Sequence, residues 1–79
     1  MSINRTVISG NVAGDAQLRT TAGGMAILNF TVAFNERRKN QSGGWDDNTG
    51  YIDCAMFGNR AQSLAQYITK GRKVCVEGR

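Results

Sequence analysis

The alternation of hydrophobic and polar positions predicts a chain built mainly of short β-strands. It is clearest over residues 25–35, where every second side chain is apolar. A two-residue period over this length fits a strand with one buried face and fits a helix badly. The side chains predicted to lie on that buried face are Ala26, Leu28, Phe30, Val32 and Phe34.

Two further segments have strand character, and a third looks extended. Residues 5–12 are rich in β-branched side chains, and Gly10 within them indicates a bulge or a close backbone approach. Residues 18–21 look extended and run into the turn signal Gly23-Gly24. Residues 74–79 alternate again at the end of the chain.

Residues 51–57 predict another strand, with two unlike faces. Ile52, Cys54 and Met56 share the face expected to be buried. Tyr51 and Phe57 lie on the other face, at its two ends. Two aromatic side chains on a face that does not build the core indicate a subunit contact or a ligand surface.

Residues 36–50 form a long polar segment between the two central strands. Gly43-Gly44 predicts the tip of an extended hairpin, and Trp45, the only tryptophan, follows it. Fifteen residues is long for a hairpin connection, and long loops in compact domains are often functional. The alternative is a solvated loop with Trp45 packed on its base.

One helix is predicted after Gly58. Asn59 is a suitable N-cap, and Gln62 stands where a capping box would place it. Lys70 suits the last turn, and Gly71 the position just beyond it. The apolar stripe with helical spacing is Ala61, Leu64, Ala65 and Ile68. The predicted order is therefore β-β-β-α-β, an all-β domain with one helix that spans residues 1–79.

Size and composition limit the function. A domain of 79 residues is marginally stable alone, and with two cysteines and no histidine a disulfide framework or zinc site is not expected. Oligomerisation is the remaining reinforcement. The net charge of +4 favours a polyanionic partner. No 18-residue apolar run and no secretory core occur in the sequence, so we expect no membrane span and a cytoplasmic location.

Catalytic and cofactor signatures are not found in the sequence. The adjacent carboxylates Asp46 and Asp47 lie in the polar segment without further ligands, so solvation is expected rather than metal binding. Cys54 and Cys75 have strand-forming neighbours, which is typical of buried, inert thiols. The glycine pairs lack the lysine of a phosphate-binding loop. We therefore expect neither an enzyme nor a bound cofactor or metal.

Cations interleaved with aromatic side chains are the remaining signal. Unpaired nucleic acid is held by rings that stack on bases and by a basic groove that follows the phosphates. Spacing alone leaves a solvated basic face as the alternative for each cation taken singly. The candidate binding residues are Arg5, Arg37, Arg38, Lys39, Trp45, Tyr51, Phe57, Arg60, Lys70, Arg72 and Lys73.

Five segments in order resemble the bacterial single-stranded DNA-binding proteins, which have the oligonucleotide/oligosaccharide-binding (OB) fold. The first is INRTVISGNV at residues 3–12, and the second is DAQLR at 15–19, where Ala16 replaces the usual proline. The others are the strand at 26–33 after Gly23-Gly24, FGNRA at 57–61, and the stretch from YITKG at 67–71 to VCVEGR at 74–79. Their joint spacing is specific and covers essentially the whole chain.

This resemblance implies a five-stranded Greek-key barrel that coats single-stranded DNA in replication, recombination and repair, usually as a homotetramer. Tyr51 takes the place of a stacking tryptophan and Phe57 that of a stacking phenylalanine. Arg37 stands where some members place another tryptophan, whereas Trp45 has no family counterpart. The residues that match basic positions near the DNA path are Arg5, Arg60 and Lys70.

Family members also continue past residue 79. They add the rest of one strand, a basic-aromatic loop, a last strand and a tail with an acidic tip that recruits replication and repair proteins. The chain is therefore expected to be a truncated OB domain that lacks the last strand and has an open barrel edge. A single-stranded RNA binder of the same fold and an OB-type protein-interaction subunit are the alternatives.

Overall fold

Residues 3–79 form one five-stranded antiparallel sheet and a short helix in this computed structural model. Residues 1 and 2, part of the N-terminal segment on which the cytoplasmic expectation rests, lie outside the described residues. The elements in chain order are β1 (Thr6–Val12), β2 (Gln17–Thr20), β3 (Ala26–Lys39), β4 (Trp45–Phe57), α1 (Asn59–Leu64) and β5 (Lys73–Gly78). The extended segment predicted at 18–21 is thus a strand in its own right, β2.

Strand β3 is the centre of the sheet. One of its edges pairs with β4 along the whole length, from Ile27 opposite Phe57 to Lys39 opposite Trp45. Its other edge pairs first with β2 and then with the end of β1, whose far edge pairs with β5. Within residues 3–79 the outer edges of β4 and β5 pair with no further strand, and a cleft of about 440 Å³ lies between them.

The core lies under the first half of β3, as the alternation predicts. Leu28 and Val32 are fully buried, and Ala61 of α1 is buried against them. The predicted core side chains Ile52, Cys54 and Met56 of β4 pack around this cluster. Ile27, on the opposite face of β3, is also buried, which the alternation does not predict.

Gly10 confirms the predicted close backbone approach. A Cβ atom at this position would lie 2.2 Å from the carbonyl oxygen of Ala33 in β3. Real Cβ atoms do not come so near a backbone oxygen, so only glycine lets β1 cross β3 at this distance. The close crossing brings β1 from its pairing with β5 to its pairing with β3.

The helix differs from its prediction at both ends. Gly58, with φ 92°, is the N-cap, and no side chain caps the helix, so the predictions of Asn59 as N-cap and of a capping box with Gln62 are wrong. The Gly58 N–H donates to Ala26 of β3, so the strand runs directly into the helix. The helix ends at Leu64, not near Lys70, and the chain tightens there into a turn in which the Tyr67 N–H donates to the Leu64 carbonyl.

Most of the polar segment 36–50 is strand, not loop. The ladder between β3 and β4 continues to Lys39 and resumes at Trp45, which leaves residues 40–44 as the turn. Gly43, with φ 82°, and Gly44 do form the tip, as predicted. We call the projecting residues 35–49 the arm. It accounts for a radius of gyration of 15.5 Å, against about 12 Å for a compact chain of this length.

Candidate nucleic-acid interface

Tyr51 belongs to a row of side chains that crosses four strands. It lies opposite Ala33, which lies opposite Asn11, which lies opposite Lys73. Directly paired side chains share a face in an antiparallel sheet. The row therefore places an aromatic ring, 67% exposed, and an exposed lysine on one surface, which we call the outer face because it is turned away from the core.

Phe57 ends the same face of β4 and remains 59% exposed. Its partner on β3 is Ile27, and the partner of Ile27 on β2 is Arg19. An exposed cation thus shares a row with the second aromatic ring. Sequence reasoning missed Arg19, because only the pairing of β2 with β3 brings it into the row of Phe57.

The arm continues the outer face into solvent. Trp45 is 59% exposed and lies opposite Lys39, at the end of the arm beside the turn. The Arg37 guanidinium lies 5.4 Å from the centroid of the indole ring, within cation–π range. Trp45 therefore does not pack on the base of a loop, and a ring and two cations cluster at the far end of the arm.

Ion pairs partly occupy the arginines of the arm. Arg37 Nε lies 3.6 Å from Asp47 Oδ1, and both side chains are largely exposed. Arg38 points to the opposite face, where its Nη2 lies 3.4 Å from Glu36 Oε2. Exposed pairs of this kind contribute about 0–1 kcal/mol, so a phosphate can displace them at little cost. The structure thus brings Arg37 together with Lys39 and Trp45 and separates Arg38 from them.

A second basic cluster lies at the other end of the sheet. Arg5 and Arg60 line one cleft of about 600 Å³, together with Arg79, which sequence reasoning did not single out. Arg5 Nε is paired with Glu77 Oε1 at 2.9 Å. Glu77 and Arg79 also line the cleft that reaches Phe57, so this cluster continues from the second aromatic ring.

The turn before β5 carries the remaining predicted cations, Lys70 and Arg72. Its backbone is fixed to β1: the Gly71 N–H donates to the Val12 carbonyl at 2.8 Å, and Asn11 Nδ2 donates to the Gly71 carbonyl. The backbone N–H of Lys70 donates to Asp15 Oδ1 at 2.9 Å. These bonds hold both cations beside the Lys73 end of the Tyr51 row.

The reactive side chains of the described residues include two cysteine thiols. Burial, and secondly the neighbouring Asp53 carboxylate, raise the pKa of the Cys54 thiol, so its protonated form is favoured. Both cysteines are free thiols; Cys75 is exposed on β5, so the prediction of a buried thiol is wrong for this residue, because its side chain lies on the face of β5 away from the core. Among residues 3–79 no three potential metal ligands converge. No helix in the described part of the chain is long and apolar enough to cross a membrane.

Comparison with solved structures supports the OB fold. The chain superposes with a TM-score of 0.92 on a deletion mutant of the single-stranded DNA-binding protein from Thermus aquaticus, at 27% identity, over 98% of this chain and 38% of that one. It shares its fold with a Plasmodium falciparum SSB in complex with ssDNA, with a TM-score of 0.89 and 24% identity over 99% of this chain and 70% of that one.

Sequence comparison gives the same family. The single-stranded DNA-binding protein of Borreliella burgdorferi is 43% identical over 76 residues, which cover 96% of this chain and 50% of the relative. The protein of the same name from Treponema pallidum is 36% identical, over 96% of this chain and 43% of the relative. The chain thus spans about half the length of the curated relatives it matches. The model of the Single-strand binding protein family matches residues 3–79, and the chain belongs to that family.

Proposed function

We propose that residues 1–79 belong to one OB domain that binds and coats single-stranded DNA without strong sequence preference. The observation that carries the proposal is the outer face, where the exposed rings of Tyr51 and Phe57 stand in rows that also hold cations. Family membership supports the same function. The binding is stoichiometric, without turnover, and serves replication, recombination and repair.

Binding combines stacking with charge. A base stacked on an aromatic ring contributes about 1–3 kcal/mol, more than an exposed ion pair at about 0–1 kcal/mol. Tyr51, Phe57 and Trp45 therefore supply most of the affinity through the bases. The residues proposed to meet phosphates are the predicted cations Arg5, Arg37, Arg38, Lys39, Arg60, Lys70, Arg72 and Lys73, to which the structure adds Arg19 and Arg79.

The assembly and the cellular setting are part of the proposal. A homotetramer, as the family resemblance implies, covers surface that a 79-residue domain leaves exposed, such as Val7, which is 61% exposed on β1. Two free thiols and the DNA partner favour the cytoplasm, near the nucleoid. Replication and repair proteins are partners where the full-length protein carries an acidic C-terminal tail.

Trp45 fluorescence provides the test, because the sequence contains one tryptophan. Oligo-dT and then a matched duplex are titrated at several salt concentrations, with size-exclusion chromatography to confirm a folded sample. We expect quenching by oligo-dT alone. If about four phosphates are neutralised, log affinity falls with log salt at a slope near −3.

The rival functions give different results. Equal or tighter binding of oligo-U ribonucleotide in competition favours an RNA binder. A folded protein that neither quenches nor retains oligo-dT on the column contradicts the coating function. In that case the outer face is assigned to a protein partner, since a protein contact has no oligonucleotide dependence.

A further inference from the structure

A polar cavity lies on the outer face between the two stacking rings. Its volume is about 450 Å³, and its floor on β4 runs from Asp53 to Ala55, between Tyr51 and Phe57. At about 3.3 Å per residue, the two rings stand about 20 Å apart along the strand. The small side chain of Ala55 leaves this interval open, so bases that lie between the rings face the cavity.

Hydrogen-bonding groups from three strands and one connection line this cavity. Thr31 lies opposite Asp53, and the pair Gln17 and Asn29 lies in the next row, which ends at Ala55. Asp15, from the connection between β1 and β2, completes the lining. No Lys or Arg side chain is among the lining residues, unlike the remainder of the candidate interface.

Two carboxylates bring acceptors into the cavity, beside the carboxamides of Gln17 and Asn29, which both donate and accept. The Thr31 hydroxyl donates to Asp53 Oδ1 at 2.8 Å, which uses its proton and holds the carboxylate in place. Asp53 Oδ2 makes no hydrogen bond to the described residues, and an ionised carboxylate only accepts. Asp15 accepts the Lys70 N–H through one oxygen, which leaves the other available.

This chemistry selects the part of the nucleotide that enters. Two carboxylates repel a phosphate, so the cavity receives a base while the neighbouring cations hold the backbone. Cytosine presents an N4 amino donor at the edge where uracil and thymine present a carbonyl acceptor. A carboxylate accepts from the amino group and repels the carbonyl oxygen.

We propose that this cavity, the Asp53 pocket, is a base subsite that favours amino-bearing bases, cytosine foremost, over uracil and thymine. The inference rests on the proposed single-stranded DNA binding and adds a local base preference to it. Asp53 is the residue that sets the preference, with Thr31 as its positioning residue.

The test compares oligo-dC with oligo-dU of equal length, because these bases differ only at ring positions 3 and 4. Dissociation constants are measured at neutral pH by anisotropy of labelled oligonucleotides, for the unmodified chain and for Asp53→Asn. An amide presents either a donor or an acceptor, so it accommodates both bases. We expect the dC-to-dU affinity ratio to fall about tenfold in Asp53→Asn, the size of one charged hydrogen bond.

Asp47→Asn is the matched control. It removes the same charge from the outer face of β4, outside the pocket. We expect it to raise the affinity for both oligonucleotides together and to leave their ratio unchanged. A second probe needs no variant: an oligonucleotide that carries N4,N4-dimethylcytosine lacks the amino donors and is expected to lose the same advantage on the unmodified chain.

The outcomes separate the subsite from the coating function. If Asp53→Asn raises the affinities for oligo-dC and oligo-dU in parallel, as Asp47→Asn is expected to do, then Asp53 acts only as a charge and the subsite is overturned. The subsite is also overturned if dimethylation of the cytosine has no effect on affinity. In both cases the coating function stands. If the folded, unmodified chain binds neither oligonucleotide, the coating function is overturned and the subsite falls with it.

Discussion

The two halves of the β3–β4 hairpin share one ladder but differ in what holds them. In the first half, which we call the platform and which comprises residues 27–34 with their partners at 50–57, one face packs on the helix and the core cluster. In the arm, residues 35–49, both faces are exposed and every side chain except Trp45 is polar or glycine, and only Asn40 at the turn is even partly buried. Pairing alone therefore extends the sheet, while burial anchors it, so the same two strands combine a rigid platform with a solvated projection.

The turn shows how the arm is held without a core. Asn40 Oδ1 accepts the N–H groups of Ser42 and Gly44, at 3.0 and 2.8 Å, and Asn40 Nδ2 donates to Asp46 Oδ1 at 3.2 Å. The Asn40 side chain thus fixes the backbone of the tip by hydrogen bonds, where no apolar side chains pack. The arm is expected to open locally at lower free energy than the platform.

Among the variants that compare the platform with the arm, Leu28→Ala is expected to lower the free energy of unfolding most. Leu28 is fully buried, so its truncation leaves a cavity and lowers the free energy of unfolding by about 2–5 kcal/mol. The control is Asn48→Ala, because Asn48 is exposed on the arm. This substitution is expected to change the free energy of unfolding by less than about 0.5 kcal/mol. Urea denaturation followed by circular dichroism measures both. Equal losses would show that the arm and platform are stabilised alike.

Gly50→Ala tests the junction between the halves. A Cβ atom at Gly50 would lie 2.5 Å from the ring of Phe34, which is half-buried at the base of the arm and lies outside the core cluster. Displacing the ring is expected to cost about 1–3 kcal/mol in the same denaturation experiment. Gly14→Ala, whose Cβ meets nothing within 4 Å, is the matched control. If the two variants are equally stable, Phe34 does not depend on the space over Gly50.

Tyr51→Ala separates binding from stability. The ring is exposed on the platform, so we expect a loss of about 1–3 kcal/mol in oligo-dT affinity with little change in unfolding. Trp45→Ala, assayed by anisotropy of a labelled oligonucleotide, makes the same measurement for the arm. A loss of oligo-dT affinity with Tyr51→Ala but not with Trp45→Ala would confine the DNA path to the platform. Retained affinity in a folded Tyr51→Ala variant would remove this ring from the site.

Asp47→Asn is expected to have the smallest effect on stability. It breaks the exposed pair with Arg37, which contributes about 0–1 kcal/mol to folding. The freed guanidinium is expected to bind oligo-dT more tightly, most clearly at low salt. Unchanged affinity across the salt series would show that Arg37 meets no phosphate.

Strand positions and the turns at Gly23-Gly24 and Gly43-Gly44 were predicted well, and the two ends of the helix were not. The alternation over residues 25–35 located the core because a period of two follows directly from which side chains meet the core. The capping of the helix by Asn59 was wrong because a backbone hydrogen bond from Gly58 to Ala26 fixes the start instead. The polar arm was interpreted as a loop because a strand with two solvated faces has no hydrophobic pattern.

In the candidate site, too, the local pattern predicted some features and only the strand pairing revealed others. Tyr51 and Phe57 were selected from the sequence because aromatic side chains on a non-core face are visible in the alternation. The row of Tyr51 with Lys73, and that of Phe57 with Arg19, join residues about 22 and 38 positions apart, which only strand pairing brings together. The roles of all these residues in binding stay predictions.

The sequence by itself determined where the main strands lie along the chain, the core face and the basic, aromatic character of the surface, because burial and charge depend on residue type and local period. Only the tertiary structure decided which cations share a row with which ring, and that polar residues from β2, β3 and β4 surround one cavity between the rings. The reason is geometric: pairing register is set by the long-range contacts of β3 with three other strands, and no local pattern encodes it.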